Sequence, residues 1–245
     1  MIRDPDAVPR PGRRTALKAL AAGMPTMWAV RHASAADAPA KARQRVLRFF
    51  NREEAAAVDA IANRLIPPDA SSPGGKEAGV TDFLDGQLAG AWGAGDHFYR
   101  QGPFFSGTPE QGYQLSFTPA ELMRRGLAEF DQALRRAEGV SFAALSAERQ
   151  DRWLMRLQQG ELALDTVPGP VFFQALLDAA LEGYFCDPIY GGNVGMAGWR
   201  LVGFPGAYAS FSQDIERHGA VWRGEPVSIA QARGHGDPHG DQGHG

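Results

Sequence analysis

Helix start and stop signals punctuate this chain from residue 51 to residue 183, and no alternating strand pattern competes with them. The sharpest is Thr118-Pro119-Ala120-Glu121. A cap threonine accepts from the free N–H groups of the first turn, proline has no N–H to lose there, and the glutamate reaches back to the cap. Leu122, Leu127, Phe130, Leu134 and Ala137 then recur at helical spacing to about Glu138. Asn51 with Glu54 opens an earlier helix carrying Val58, Ile61, Ala62 and Leu65, and Pro67-Pro68 stops it. A loop from Asp69 to Lys76 leads to a helix near Glu77 to Leu88, with Val80, Phe83, Leu84 and Leu88 on one side. Ser146 starts a helix with Trp153, Leu154 and Leu157 on one stripe. Pro170 opens a last long one with Phe172, Phe173, Leu176, Leu177, Ala180 and Leu181, ending at Gly183. The pattern predicts an all-α fold, a single irregular helical domain with long aromatic- and glycine-rich loops.

Two of those loops stand out. Residues 92–117 interleave Trp92, Phe98, Tyr99, Phe104, Phe105, Tyr113 and Phe117 with glycine and proline at no sustained period. So many aromatics predict an ordered loop, either folded back on the core or turned towards a partner. The second is Asp187-Pro188-Ile189-Tyr190-Gly191-Gly192-Asn193. Proline closes off the preceding helix, the glycine pair permits a tight reversal, and Asn193 can bond locally to hold it. Trp199, Gly203 and Phe204-Pro205-Gly206 follow.

The N-terminus reads as an export leader. Arg10, Arg13, Arg14 and Lys18 supply charge, Leu17 to Val30 a weakly apolar stretch, and Ala33-Ser34-Ala35 an A-x-A cleavage site. Arg13-Arg14 with Leu17-Lys18, low hydrophobicity and a basic Arg31-His32 favour the twin-arginine route, although Gly12 and Ala16 depart from its usual pattern. A basic disordered terminus is the alternative. Pro25 interrupts the apolar stretch, which falls short of the roughly 20 residues a membrane span needs. The expected organisation is a signal peptide over 1–35, a helical domain over 46–222, and a disordered Gly/His-rich tail over 223–245.

Little in the chain points to chemistry of its own. A net charge of -3, with no basic stripe outside the leader, gives no argument for nucleic acid. The single cysteine, Cys186, excludes an internal disulfide, a C-x-x-C-H haem attachment and a cysteine-ligated cluster. In an oxidising compartment Cys186 is either buried as a small apolar group or bridged to another chain. There is no G-x-G-x-x-G, so flavin binding is not expected here. Asp82 and Asp85 lie three apart on a helix and read as a solvated face; His97 and His218 are isolated. His235, His239 and His244 sit in the glycine-rich tail without fixed geometry. No catalytic, cofactor-binding or metal site is assigned.

Several segments resemble the small subunit of the gluconate 2-dehydrogenase family (subunit 3). They are Phe49-Phe50, Arg64-Leu65-Ile66-Pro67-Pro68-Asp69, Gly75-Lys76-Glu77-Ala78-Gly79-Val80, Asp82-Phe83-Leu84-Asp85 and Gly112-Tyr113-Gln114. Glu182 to Pro188, Tyr190-Gly191-Gly192-Asn193, Trp199 and Gly203-Phe204-Pro205-Gly206 complete them. The similarity runs from about residue 46 to 220, and its most specific part is the Asp-Pro-x-Tyr-Gly-Gly-Asn segment.

The resemblance implies a non-catalytic (gamma) subunit of a periplasmic, membrane-associated dehydrogenase complex. Its partners would be an FAD-dependent large subunit that oxidises a sugar or sugar acid and a multihaem cytochrome c subunit. The FAD and haem c reside in those partners, and this chain escorts the large subunit through export, with Arg13, Arg14, Leu17 and Lys18 as the address. It implies a partner interface on Tyr184, Cys186, Asp187, Pro188, Tyr190, Gly191, Gly192, Asn193 and Trp199, with Phe104, Phe105 and Tyr113 from the aromatic loop. Gluconate is the expected substrate of the complex; 2-ketogluconate, sorbitol, fructose and glucose dehydrogenases remain open. The alternatives are a stand-alone periplasmic metal-binding protein using the His-rich tail, and a free-standing hydrolase or oxidase, for which no convergent set of titratable groups is recognisable.

Overall fold

The computed structural model describes residues 46–96, 98–105, 107–108, 114–207, 216, 218–219 and 223–234. Arg13, Arg14, Leu17 and Lys18, which the sequence reading assigns to an export leader, lie outside them, as do Tyr113 and the tail histidines. Eight α-helices are present among the described residues: α1 (Arg52–Leu65), α2 (Val80–Leu88), α3 (Ala91–Ala94), α4 (Pro119–Glu138), α5 (Ala147–Gln158), α6 (Gly169–Phe185), α7 (Ala197–Val202) and α8 (Ile229–Gly234). Short 3-10 turns occupy Phe142–Ala144, Pro188–Tyr190 and Val194–Met196. No strand forms among these residues beyond one isolated bridge between Gly206 and Val227. The all-α reading holds. No described helix is long and apolar enough to cross a membrane.

The local signals work as their chemistry requires. Asn51 and Glu54 form a reciprocal capping box at the start of α1, and Thr118 and Glu121 do the same for α4, with Pro119 at its first position. Gly139, at φ 72°, closes α4 in the left-handed conformation. Leu122, Met123, Leu127, Phe130 and Leu134 of α4 are buried, while Ala137 is exposed.

The core gathers around α6, which packs against α1, α2, α4 and α5. Phe172 is fully buried, and its ring lies 6.5 Å from that of Phe130, which also meets Phe142 at 5.6 Å and Trp153 at 6.1 Å. Each such side chain contributes about 1.5–3 kcal/mol of apolar burial. Gly126 lets α4 approach this far, since a Cβ there would stand 2.3 Å from the Phe172 ring.

Three boundaries differ from the sequence reading, each for a tertiary reason. α2 begins at Val80 rather than near Glu77, because Gly79 adopts φ 82° and residues 75–79 form turns ahead of it. α6 continues past Gly183 to Phe185. Gly183 is a contact glycine: a Cβ would meet the Phe83 ring at 2.9 Å. Residues 223–234, assigned by composition to the tail, pack on the domain. The Val227 N–H donates to Pro205 at 3.1 Å, its carbonyl accepts from Ala207 at 2.7 Å, and Arg200 pairs with Glu225 at 2.9 Å.

The segment just ahead of α1 is clipped to the core through one carboxylate. Asp85, buried in α2, accepts from the backbone N–H groups of Arg48 (2.8 Å), Phe49 (3.0 Å) and Phe50 (2.8 Å). The Arg124 guanidinium stacks 4.0 Å over the Phe49 ring and donates to the Phe49 carbonyl at 2.6 Å. Asp85 is therefore an internal strut rather than part of a solvated acidic face.

Candidate functional site

A helix end leaves its last carbonyls without intrahelical partners, and α6 ends inside the protein. The residues that follow satisfy those carbonyls one by one. The Asn193 N–H donates to the Gly183 carbonyl at 2.9 Å, and the Cys186 N–H to that of Glu182 at 2.8 Å. The Trp199 indole N–H donates to the Phe185 carbonyl at 2.7 Å, and the Asn193 side-chain amide to that of Cys186 at 2.8 Å. The Asn193 side-chain oxygen then accepts from the Gly198 N–H at 2.9 Å. One fully buried amide thus joins the end of α6 to the start of α7.

Close packing explains the glycines. A Cβ on Gly192 would stand 2.1 Å from the Gly183 carbonyl oxygen and 2.8 Å from the Cys186 Sγ. Asn193 itself sits at φ 47°, in the left-handed region that asparagine tolerates better than most residues. Asp187 caps the 3-10 turn through the Ile189 N–H at 2.9 Å, and its other oxygen accepts from Ile229 in α8 at 2.7 Å. The Tyr184 hydroxyl donates to the Pro73 carbonyl at 2.9 Å.

The residues assigned to an interface by sequence therefore divide in two. Tyr184, Asp187, Gly192, Asn193 and Trp199 are buried within this chain and hold the turn's shape. Pro188 is half-buried, whereas Gly191 and Tyr190 are exposed, Tyr190 by 55%. The aromatic loop divides likewise. Trp92 and Phe117 pack on the core, while Tyr99, Phe104 and Phe105 point outwards, Phe105 by 73%.

Beyond the residues assigned to an interface by sequence, Leu181, Phe185, Ile189, Val194, Val202 and Phe204, all within the segment 181–204, are exposed. The sequence reading counted Leu181 among the apolar residues of the last long helix. The other signal available was a run of large apolar residues in short elements after the last long helix, too brief to bury a face. Phe83, Gln87, Glu182, Phe185, Cys186 and Tyr190 line a shallow depression of about 410 Å³ there.

Electrostatics at this depression are simple. Burial pushes the half-buried Cys186 thiol up to about 11, so it is protonated at neutral pH, and its S–H contacts the Gly183 carbonyl at 3.5 Å. Partial burial also raises the Glu182 carboxyl, with Asp178 adding to the effect. Among the described residues no group of three His, Cys, Asp or Glu side chains converges to hold a metal ion.

No curated protein and no solved structure matches the chain. The sequence model of the family described as gluconate 2-dehydrogenase subunit 3 matches residues 52–206, from the first residue of α1 through the buried staple and α7 to the Gly206 bridge. That is well over half of the chain, and the protein belongs to the gluconate 2-dehydrogenase subunit 3 family.

Proposed function

We propose that this chain is the non-catalytic small subunit of an exported FAD-dependent dehydrogenase complex acting on a sugar acid or sugar, with gluconate 2-dehydrogenase the best match. It docks on the flavoprotein large subunit through the exposed rim of the 187–193 turn, with Phe104 and Phe105 adding contacts. A multihaem cytochrome c completes the complex and ties it to the membrane. The large subunit travels with this chain through the twin-arginine route into the periplasm, addressed by Arg13 and Arg14.

The observation that carries the reading is the family membership together with the architecture of the turn. A buried scaffold of Asn193, Trp199 and Asp187 holds Ile189, Tyr190 and Val194 outwards. Large exposed apolar patches rimmed by polar groups mark interaction sites, and a rigid display lowers the ordering cost of association.

The test is affinity capture of the tagged chain from its native periplasm and membrane, with flavin and haem absorbance recorded. Co-elution of a flavoprotein and a c-type cytochrome with dye-linked gluconate oxidation is the expected result; a colourless, solitary protein refutes the reading. Tyr190→Ala should leave stability within about 0.5 kcal/mol of wild type, as for surface substitutions generally, yet lower the yield of co-eluting flavoprotein. Lysine at both Arg13 and Arg14 should hold the chain and its flavoprotein in the cytoplasm.

A further inference from the structure

We infer that residues 225–231 form a latch, which closes on both ends of the 187–195 reversal and opens on its own while the helical core stays folded. On the subunit reading above, the closed latch is what presents the docking turn in a fixed shape.

The latch grips the reversal at each end. The Ile229 N–H donates to one Asp187 carboxylate oxygen at 2.7 Å, while the other accepts from the Ile189 N–H inside the turn. At the far end the Arg200 guanidinium donates to the Gly195 carbonyl and, at 2.9 Å, to the Glu225 carboxylate. Between these grips the latch runs beside residues 205–207, where the Val227 N–H donates to the Pro205 carbonyl at 3.1 Å and the Val227 carbonyl accepts from Ala207 at 2.7 Å. Gly206 leaves room for it: a Cβ there would stand 2.2 Å from the Val227 carbonyl oxygen and 2.8 Å from the Trp199 ring.

Little apolar surface holds the latch shut. Val227 and Ile229 are only half-buried, and none of its residues belongs to the buried apolar clusters of the core. An exposed ion pair such as Arg200–Glu225 adds little. Segments with few buried apolar contacts open locally at far lower cost than a core helix. Once open, the latch leaves Asp187 tied to the turn alone, and a three-residue 3-10 turn does not keep its shape without outside support.

Ile229 is the residue to change. Ser228 caps α8, its hydroxyl accepting from the Gln231 N–H at 3.3 Å, so Ile229 is the first helical residue, where proline fits. Ile229→Pro deletes the N–H that reaches Asp187; Ile229→Ala trims the side chain and keeps it. Amide hydrogen exchange of the full chain, read residue by residue, is the measurement. In wild type the Val227 and Ala207 amides should exchange together, at least about a hundredfold faster than those of Phe130 in α4 and Leu176 in α6. Ile229→Pro should speed both, and the Ile189 and Tyr190 amides with them, at least about tenfold, as for loss of a hydrogen bond to a charged group. Phe130 and Leu176 should not respond, and Ile229→Ala should act more weakly. Protection of Val227 equal to that of Phe130 would overturn the latch, as would equal effects of the two variants, a turn that does not respond, or acceleration of the core. Saturating flavoprotein captured by the wild-type chain should slow Val227 and Ala207 exchange, because a partner of the held turn favours the closed state. Faster or unchanged exchange in the complex would overturn the latch's part in docking. Failure to capture any flavoprotein would bring down the subunit reading alone, since exchange in the free chain decides the latch.

Discussion

Removing the Asn193 side chain should cost this protein a large part of its stability, although no catalytic group is touched. In Asn193→Ala the Cys186 carbonyl loses its 2.8 Å donor and the Gly198 N–H loses its 2.9 Å acceptor. The asparagine is fully buried, so water does not readily replace either partner. Each buried group left unsatisfied costs about 1–3 kcal/mol. Holding alanine at φ 47° adds about 1 kcal/mol. The total is about 3–7 kcal/mol, against a typical net stability of about 5–15 kcal/mol.

Urea unfolding followed by tryptophan fluorescence suits the measurement, since Trp199 is buried beside the substituted residue with its ring 5.3 Å from Phe204. With a mid-range urea slope of about 2 kcal/mol per molar, the midpoint should fall by about 1.5–3.5 M. Asn193→Asp refines the test. It keeps the acceptor for Gly198 but points a carboxylate at the Cys186 carbonyl, which favours the protonated, donating form. That raises its folded-state pKa, so the stabilisation is present at acid pH and is lost as pH rises through the raised value. Asn193→Asp should therefore sit closer to wild type at low pH than at neutral pH. An Asn193→Ala loss below about 1 kcal/mol, or an Asn193→Asp penalty independent of pH, would refute the claim that this amide is the strut between α6 and α7.

Asp85→Asn should destabilise by about 2–3 kcal/mol, because the neutral amide has one acceptor oxygen where the carboxylate serves three backbone N–H groups. Limited proteolysis should then cut ahead of Phe50 in the folded protein; an unchanged cleavage pattern would mean that Arg124 holds that segment without it. Cys186 should resist alkylation at mildly alkaline pH. Burial pushes its thiol from 9.0 up to about 11, so thiolate supply falls about a hundredfold relative to the urea-unfolded chain. Equal labelling rates in the two states would overturn this. The same shift makes folding less favourable above about 9: the unfolded thiol ionises first, and the loss completes as pH passes about 11.

Where structure is decided by neighbours in sequence, it was readable. The capping boxes at Asn51–Glu54 and Thr118–Glu121 act within one turn, and both helices begin where those residues predict. Gly183 shows the opposite case. A glycine that ends a helix and a glycine that lets another helix approach look identical locally; Phe83, a hundred residues away, decides between them. The turn at 187–193 was legible as a tight reversal, because Pro188 and Gly191-Gly192 impose one. That Asn193 reaches Cys186 and Gly198, and that Trp199 reaches Phe185, was not legible, since both bonds depend on how α7 folds back. Leu181 illustrates the same limit: helical period identifies an apolar face but not whether another element covers it, and Leu181 is exposed.

The buried and exposed halves of the turn stand in a causal order. Ile189 and Tyr190 sit in a three-residue 3-10 turn that is far too short to hold its own shape in water. Its geometry is imposed from beneath by Asp187, which binds both the turn and α8, and by Asn193 at the far end of the reversal. Damage to the buried set should therefore weaken complex formation without removing any contact atom, whereas damage to Tyr190 should weaken it without touching stability. The two effects separate in a double variant. If Tyr190→Ala costs less binding in an Asn193→Ala background than in wild type, the rim acts only as part of the held turn. If the costs simply add, the rim recognises its partner without needing the scaffold, and the proposed link between the buried residues of the turn and the docking face is wrong.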